Sequence, residues 1–112
     1  KIKNSNKIIG GYNPIGWNTS NSWIHSNDSF IFSFENDSDY FNGKISRILE
    51  NGKFSIYDCD DFNLLLHFGN GDLILDGKNG ICDKSNYEFC ILKNDERCFE
   101  AEELEIFSVT IN

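Results

Sequence analysis

Five Asn-Gly or Asp-Gly dipeptides punctuate this chain, at Asn42-Gly43, Asn51-Gly52, Asn70-Gly71, Asp76-Gly77 and Asn79-Gly80. Such pairs supply the two positive-φ positions of a type I′ hairpin turn. A 112-residue chain cut this often favours short antiparallel strands over long helices. The residue supply agrees. There is one alanine, Ala101, and no methionine, so two good helix formers are nearly missing. Isoleucine and phenylalanine are plentiful and suit a pleated, half-buried surface.

The clearest hairpin expected is residues 44–50, the Asn51-Gly52 turn, then residues 53–58. A two-residue loop sets Glu50 against Lys53, Leu49 against Phe54 and Arg47 against Ile56. Residues 28–35 alternate with period two: Phe30, Phe32 and Phe34 form the expected core face, with Ser29, Ile31, Ser33 and Glu35 opposite. Residues 7–12 read as a strand in which Gly10-Gly11 allows a close backbone approach. Asn13-Pro14 ends it, and Trp17 to Trp23 reads as a polar loop. Further strands are expected at residues 64–68, 72–76, 87–92 and 103–110, and a helical turn only at residues 99–103. With no repeat or linker, residues 1–112 make one domain. The expected fold is mainly β, an antiparallel two-sheet β-sandwich with little helix.

Charge narrows the partners. Lys+Arg is 10 and Asp+Glu is 18, a formal net charge of -8. That argues against nucleic acid, whose phosphates need clustered cations, and against an anionic membrane surface. No apolar run reaches the roughly 18 residues of a membrane helix. Residues 1–57 carry six basic and five acidic side chains, and residues 58–112 carry four and thirteen. The C-terminal half thus presents a negative field suited to a basic protein partner.

The four cysteines, Cys59, Cys82, Cys90 and Cys98, lack the close spacing of zinc sites. Buried free thiols in a reducing cytosol are the expectation, and two disulfides in any of three connectivities are the alternative for a secreted chain. Sequons begin at Asn18, Asn27 and Asn36, as a chain rich in Asn, Ser and Thr produces by chance. There is no nucleophile elbow, phosphate loop or dinucleotide fingerprint. Calcium loops fail at Asp58-Cys59-Asp60-Asp61-Phe62 and at Asp37-Ser38-Asp39, because the fifth ligand positions are Phe62 and Phe41. Glu103 and Glu105 share a strand face instead of facing across a cleft. His25 and His67 are the two candidate general bases, and His67, among Leu64, Leu65, Leu66 and Phe68, reads as a structural histidine. Tyr12, Trp17 and Trp23 are the aromatics available to stack on a sugar or anchor a peptide.

One combination is more specific. Lys7-Ile8-Ile9-Gly10-Gly11-Tyr12-Asn13-Pro14-x-x-Trp17 is followed by Trp23 and then Asp28-Ser29-Phe30-Ile31-Phe32-Ser33-Phe34. Phe68-Gly69-x-Gly71-Asp72-Leu73 and Glu103-Leu104-Glu105-Ile106-Phe107-Ser108-Val109 come later. In this order the set resembles the TLDc domain of the oxidation-resistance and nuclear-receptor-coactivator-like families. It is most similar to Asn-rich versions behind BTB-type modules in fungi and protists. The resemblance runs over essentially all residues. It aligns them with the C-terminal two-thirds of the family domain, so the expectation is a partial domain lacking its N-terminal segment.

The resemblance implies a sandwich with flanking helices, and no catalytic residue or cofactor. It also implies roles in oxidative-stress protection and in regulating the vacuolar proton-pumping ATPase. Gly10, Gly11, Gly69, Glu103 and Glu105 are the signature and candidate contact positions carried over from it. Tyr12, Trp17 and Trp23 are candidate hot spots. The expectation is a cytoplasmic, non-enzymatic protein-interaction module, partnered by that ATPase or by an upstream BTB-like module. The alternatives are a carbohydrate-binding sandwich using Tyr12, Trp17 and Trp23, a hydrolase using His67 with a carboxylate, or a degenerate fragment without activity.

Overall fold

The computed structural model describes residues 1–16, 22–36, 42–49, 54–58, 64–93, 97–105 and 107. Nine strands occur there: β1 (Ile8–Tyr12), β2 (Ser22–Ile24), β3 (Phe30–Phe34), β4 (Lys44–Arg47), β5 (Ile56–Asp58), β6 (Leu64–Phe68), β7 (Leu73–Asp76), β8 (Asn79–Ile81) and β9 (Cys98–Glu100). Three form one sheet in the order β1-β3-β4, and six form a second in the order β2-β5-β6-β7-β8-β9. Every pairing is antiparallel. The two sheets pack face to face as the expected β-sandwich, and none of the described residues is helical. Nor is any described helix long and apolar enough to cross a membrane.

The core lies between the sheets. Ile31 from the smaller sheet and Ile56, Phe68 and Leu73 from the larger meet Tyr87, Ile91, Leu92 and Cys82, all nearly or wholly inaccessible to solvent. Cys82, Tyr87, Ile91 and Leu92 therefore insert into the sandwich from a segment that does not form the strand expected at residues 87–92. Tyr87 makes only an isolated bridge, to Ile48. A non-strand segment in a core brings backbone polar groups that need partners, and the smaller sheet supplies serines. Ser33 Oγ donates to the Ile91 carbonyl at 2.9 Å, and Ser46 Oγ to the Phe89 carbonyl at 2.9 Å.

Those serines reverse the expected polarity of β3. Ser29, Ile31 and Ser33 are buried, while Phe30, Phe32 and Phe34 are only partly so and face outward. Counting apolar side chains alone chooses the aromatic face as core. The hydrogen-bond demand of residues 82–93 selects the other face.

The hairpin expected at residues 44–58 does not form between β4 and β5. β4 pairs with β3, setting Arg47 against Phe30, and its far flank takes residues 86–88 through Glu88 N–H to Arg47 O and Leu49 N–H to Asn86 O, both 2.9 Å. β5 sits between β2 and β6 in the other sheet, with Ile56 opposite Ile24 and Phe68. The Asn51-Gly52 turn lies outside the described residues.

Other expectations shift as well. Trp23 stands in β2 and not in a loop, because Tyr57 offers it a cross-strand partner. Asn79-Gly80 is strand β8, and Gly77, with φ +61°, makes the turn from β7. Part of the helical turn expected at residues 99–103 is strand β9, whose pairing with β8 satisfies more backbone groups than one isolated turn. Residues 103–105 and 107 form no strand.

Candidate functional site

Gly10 and Gly11 have a steric purpose on each side of β1. A Cβ on Gly10 would come within 2.6 Å of the Phe32 ring on the outer face. One on Gly11 would come within 2.5 Å of the Phe68 ring in the core. The pair lets one ring lie flat outside and another press inside, at a strand where any side chain would displace both.

Because Phe32 lies over Gly10, the outer face of the smaller sheet becomes a row of rings. Tyr12 meets Phe30 at 5.3 Å between centroids, Phe30 meets Phe32 at 6.3 Å, and Phe32 meets Phe34 at 5.4 Å. Register places Ile8 beside Phe34 and Ile45 beside Phe32. Ile45 is 47% exposed. The Arg47 guanidinium caps one end of the row, 5.8 Å from the Phe30 centroid, a distance at which cation and ring attract. The result is an apolar, aromatic face with a cation at its border.

Trp23 belongs to another surface. On the outer face of the larger sheet its ring meets Tyr57 at 5.2 Å, Phe54 at 5.3 Å and His67 at 5.5 Å. Tyr12 and Trp23 therefore stand on different sheets and make no common platform, and Trp17 lies outside the described residues. Burial holds the His67 pKa below its usual value of 6.5, and its inaccessible Nδ1 has no hydrogen-bond partner. Among the described residues the ring packs edge-on and tilted against Trp23 and Tyr57.

The Phe68-Gly69-x-Gly71-Asp72-Leu73 motif forms the β6–β7 loop and holds the core segment in place. The buried Asp72 carboxylate accepts backbone N–H bonds from Ser85 at 2.8 Å, Asn86 at 2.9 Å and Tyr87 at 2.9 Å. Gly69 has φ +64°, and a Cβ there would overlap Asp72 Oδ1. The glycine thus serves both the turn and the carboxylate. Tyr87, once placed, donates its hydroxyl to the Ser55 carbonyl at 2.8 Å and meets Ser29 Oγ at 3.1 Å. Burial pushes the Tyr87 phenol further up from an already high pKa. Asp72 stands in the motif visible in the sequence, where the acid closing the Gly-x-Gly turn is its signal, whereas nothing local to Tyr87 marks its place in the core.

Glu103 and Glu105 are both exposed. Glu103 lies at the rim of an apolar groove lined by Ile2, Ile9, Leu66, Leu75 and Leu104. The acidic segment starts where Ala101 bridges Ile2 and donates its N–H to Lys78 O at 2.7 Å.

Comparison with curated proteins and with solved structures yields no match. A family model described as the TLDc domain, in contrast, matches residues 2–110. The Gly10-Gly11 strand and the Gly69–Asp72 loop, both parts of the motif set that suggested that family, have structural duties throughout this sandwich, and the chain belongs to the TLDc family.

Proposed function

We propose that the chain is a non-catalytic protein-interaction module of TLDc type. It works in the cytoplasm, in oxidative-stress protection, by engaging the vacuolar proton-pumping ATPase. The observation that carries this reading is the outer face of the smaller sheet, where Tyr12, Phe30, Phe32 and Phe34 lie partly exposed beside exposed Ile45 and Arg47. Aromatic and arginine side chains on an accessible apolar patch are the usual makings of an interface centre. Glu103 and Glu105, exposed within the acidic half, supply charge for steering a basic partner surface.

The test is co-migration with the purified soluble sector of the vacuolar ATPase in reducing buffer, read together with ATP hydrolysis. The expected result is a complex that Arg47→Glu weakens by roughly tenfold or more while the melting temperature holds. A folded chain that neither binds nor alters hydrolysis would remove the pump as partner. Equal binding by wild type and Arg47→Glu would remove this face as the contact.

A further inference from the structure

We infer that Cys82 and Cys90 form an oxidisable dithiol, which hydrogen peroxide converts into a disulfide within the chain. Cys82 Sγ and Cys90 Sγ lie 3.9 Å apart, in contact but unbonded. Both backbones are anchored. Cys82 N–H donates to Arg97 O at 2.7 Å, Phe89 N–H donates to Ser46 Oγ at 2.8 Å, and Ile91 O accepts from Ser33 Oγ at 2.9 Å. The sulfurs thus lie in contact on anchored backbone, and forming a disulfide requires the two side chains to rotate until the sulfurs are ~2.05 Å apart.

The two thiols differ in a way that assigns their roles. Cys82 is fully inaccessible, whereas Cys90 is partly exposed beside Phe89, itself 57% exposed. Peroxide therefore reaches Cys90. Burial, together with the neighbouring Cys90 sulfur, pushes the Cys82 thiol up to about 12, so Cys82 makes a poor first nucleophile. The Cys90 thiolate attacks one peroxide oxygen and the O–O bond breaks. Cys90 becomes a sulfenic acid, and the leaving oxygen departs as water. The Cys82 sulfur then attacks Cys90 Sγ, the S–O bond breaks, and a second water leaves. Two thiols supply two electrons and two protons, and both peroxide oxygens end as water.

Cys98 does not compete for Cys82. It pairs in register with Ile81, whose side chain is exposed on the outer face, while Cys82, the next residue, turns into the core.

The reduced 112-residue chain is treated with one equivalent of hydrogen peroxide, alkylated, and digested with trypsin without reductant. Lys84 separates the two cysteines, so the bridge appears as two tryptic peptides joined through Cys82 and Cys90. Wild type should yield that linked pair from most chains. In Cys82→Ala, dimedone should trap a sulfenic acid at Cys90, and in Cys90→Ser no adduct should form at Cys82. The wild-type digest decides the matter even if a variant fails to fold. Oxidation confined to Cys98 or Cys59, links between chains, or unreacted Cys82 and Cys90 would overturn the proposal. So would a dimedone adduct on Cys82 in Cys90→Ser.

Discussion

Replacing Gly69 by alanine separates two effects that usually arrive together, because the fold contains its own control. Gly69 and Gly77 share nearly the same backbone conformation, with φ +64° and +61°. A Cβ on Gly77 would meet nothing within 4 Å, whereas one on Gly69 would overlap Asp72 Oδ1. Gly77→Ala therefore costs the left-handed conformation alone, about 1–2 kcal/mol. Gly69→Ala costs the same and also displaces the Asp72 carboxylate. Of its three N–H donors, Tyr87 is fully buried while Ser85 is exposed and Asn86 is partly so. An orphaned buried donor costs about 1–3 kcal/mol, and the other two recover bonds to water. Gly69→Ala should thus exceed Gly77→Ala by about 1–3 kcal/mol, a large part of the 5–15 kcal/mol of a typical domain. Urea unfolding with unchanged slope measures both. In an Asp72→Ala background the excess should vanish. Equal costs for the two glycine variants, within about 0.5 kcal/mol, would refute the assignment of the Gly69–Asp72 loop as the clamp on the core segment.

Tyr87→Phe removes one of the two donors to the buried Ser55 carbonyl, which keeps the Gly69 N–H at 2.9 Å, and should cost about 0.5–1.5 kcal/mol in urea unfolding, with near-native spectra. For His67 the sign follows from burial, which favours the neutral ring when folded. The unfolded chain takes up a proton as pH falls through about 6.5, before the folded chain does, so stability declines from there downward and is flat above about pH 7. Urea midpoints between about pH 7.5 and 5.5 should show that decline in wild type and a smaller one in His67→Phe.

Much of the architecture was legible because period-two alternation and Gly-containing turns are local. β1, β3, β6 and β7 fall where alternation or an apolar run placed them, and the two-sheet sandwich follows. What was not legible depended on partners distant in sequence. β4 and β5 read as a hairpin because local pairing is the simplest use of Asn51-Gly52. β3 and residues 86–88 occupy β4 instead. The face of β3 was misread because a serine looks like a solvent residue until a buried carbonyl requires it, as Ile91 O requires Ser33.

The candidate site divided the same way. Gly10, Gly11 and Gly69 were visible as motif positions, but whether they touch a partner or clear space for Phe32, Phe68 and Asp72 is a three-dimensional fact. Tyr12 and Trp23, eleven positions apart in sequence, part onto different sheets, since β2 joins β5 while β1 joins β3. Cys82 and Cys90 gave no sign of proximity because the core segment between them follows no regular period.

The reading of this chain as a docking module depends on β3 turning its rings outward, and paired stability measurements on Ile31→Ala and Phe32→Ala test that most directly. Ile31 is fully buried, so its truncation should cost about 2–5 kcal/mol. Phe32 is partly exposed over Gly10, so losing its ring should cost about 1 kcal/mol, near half of a full burial. A Phe32→Ala cost equal to or above that of Ile31→Ala would place the aromatic face in the core and contradict the account.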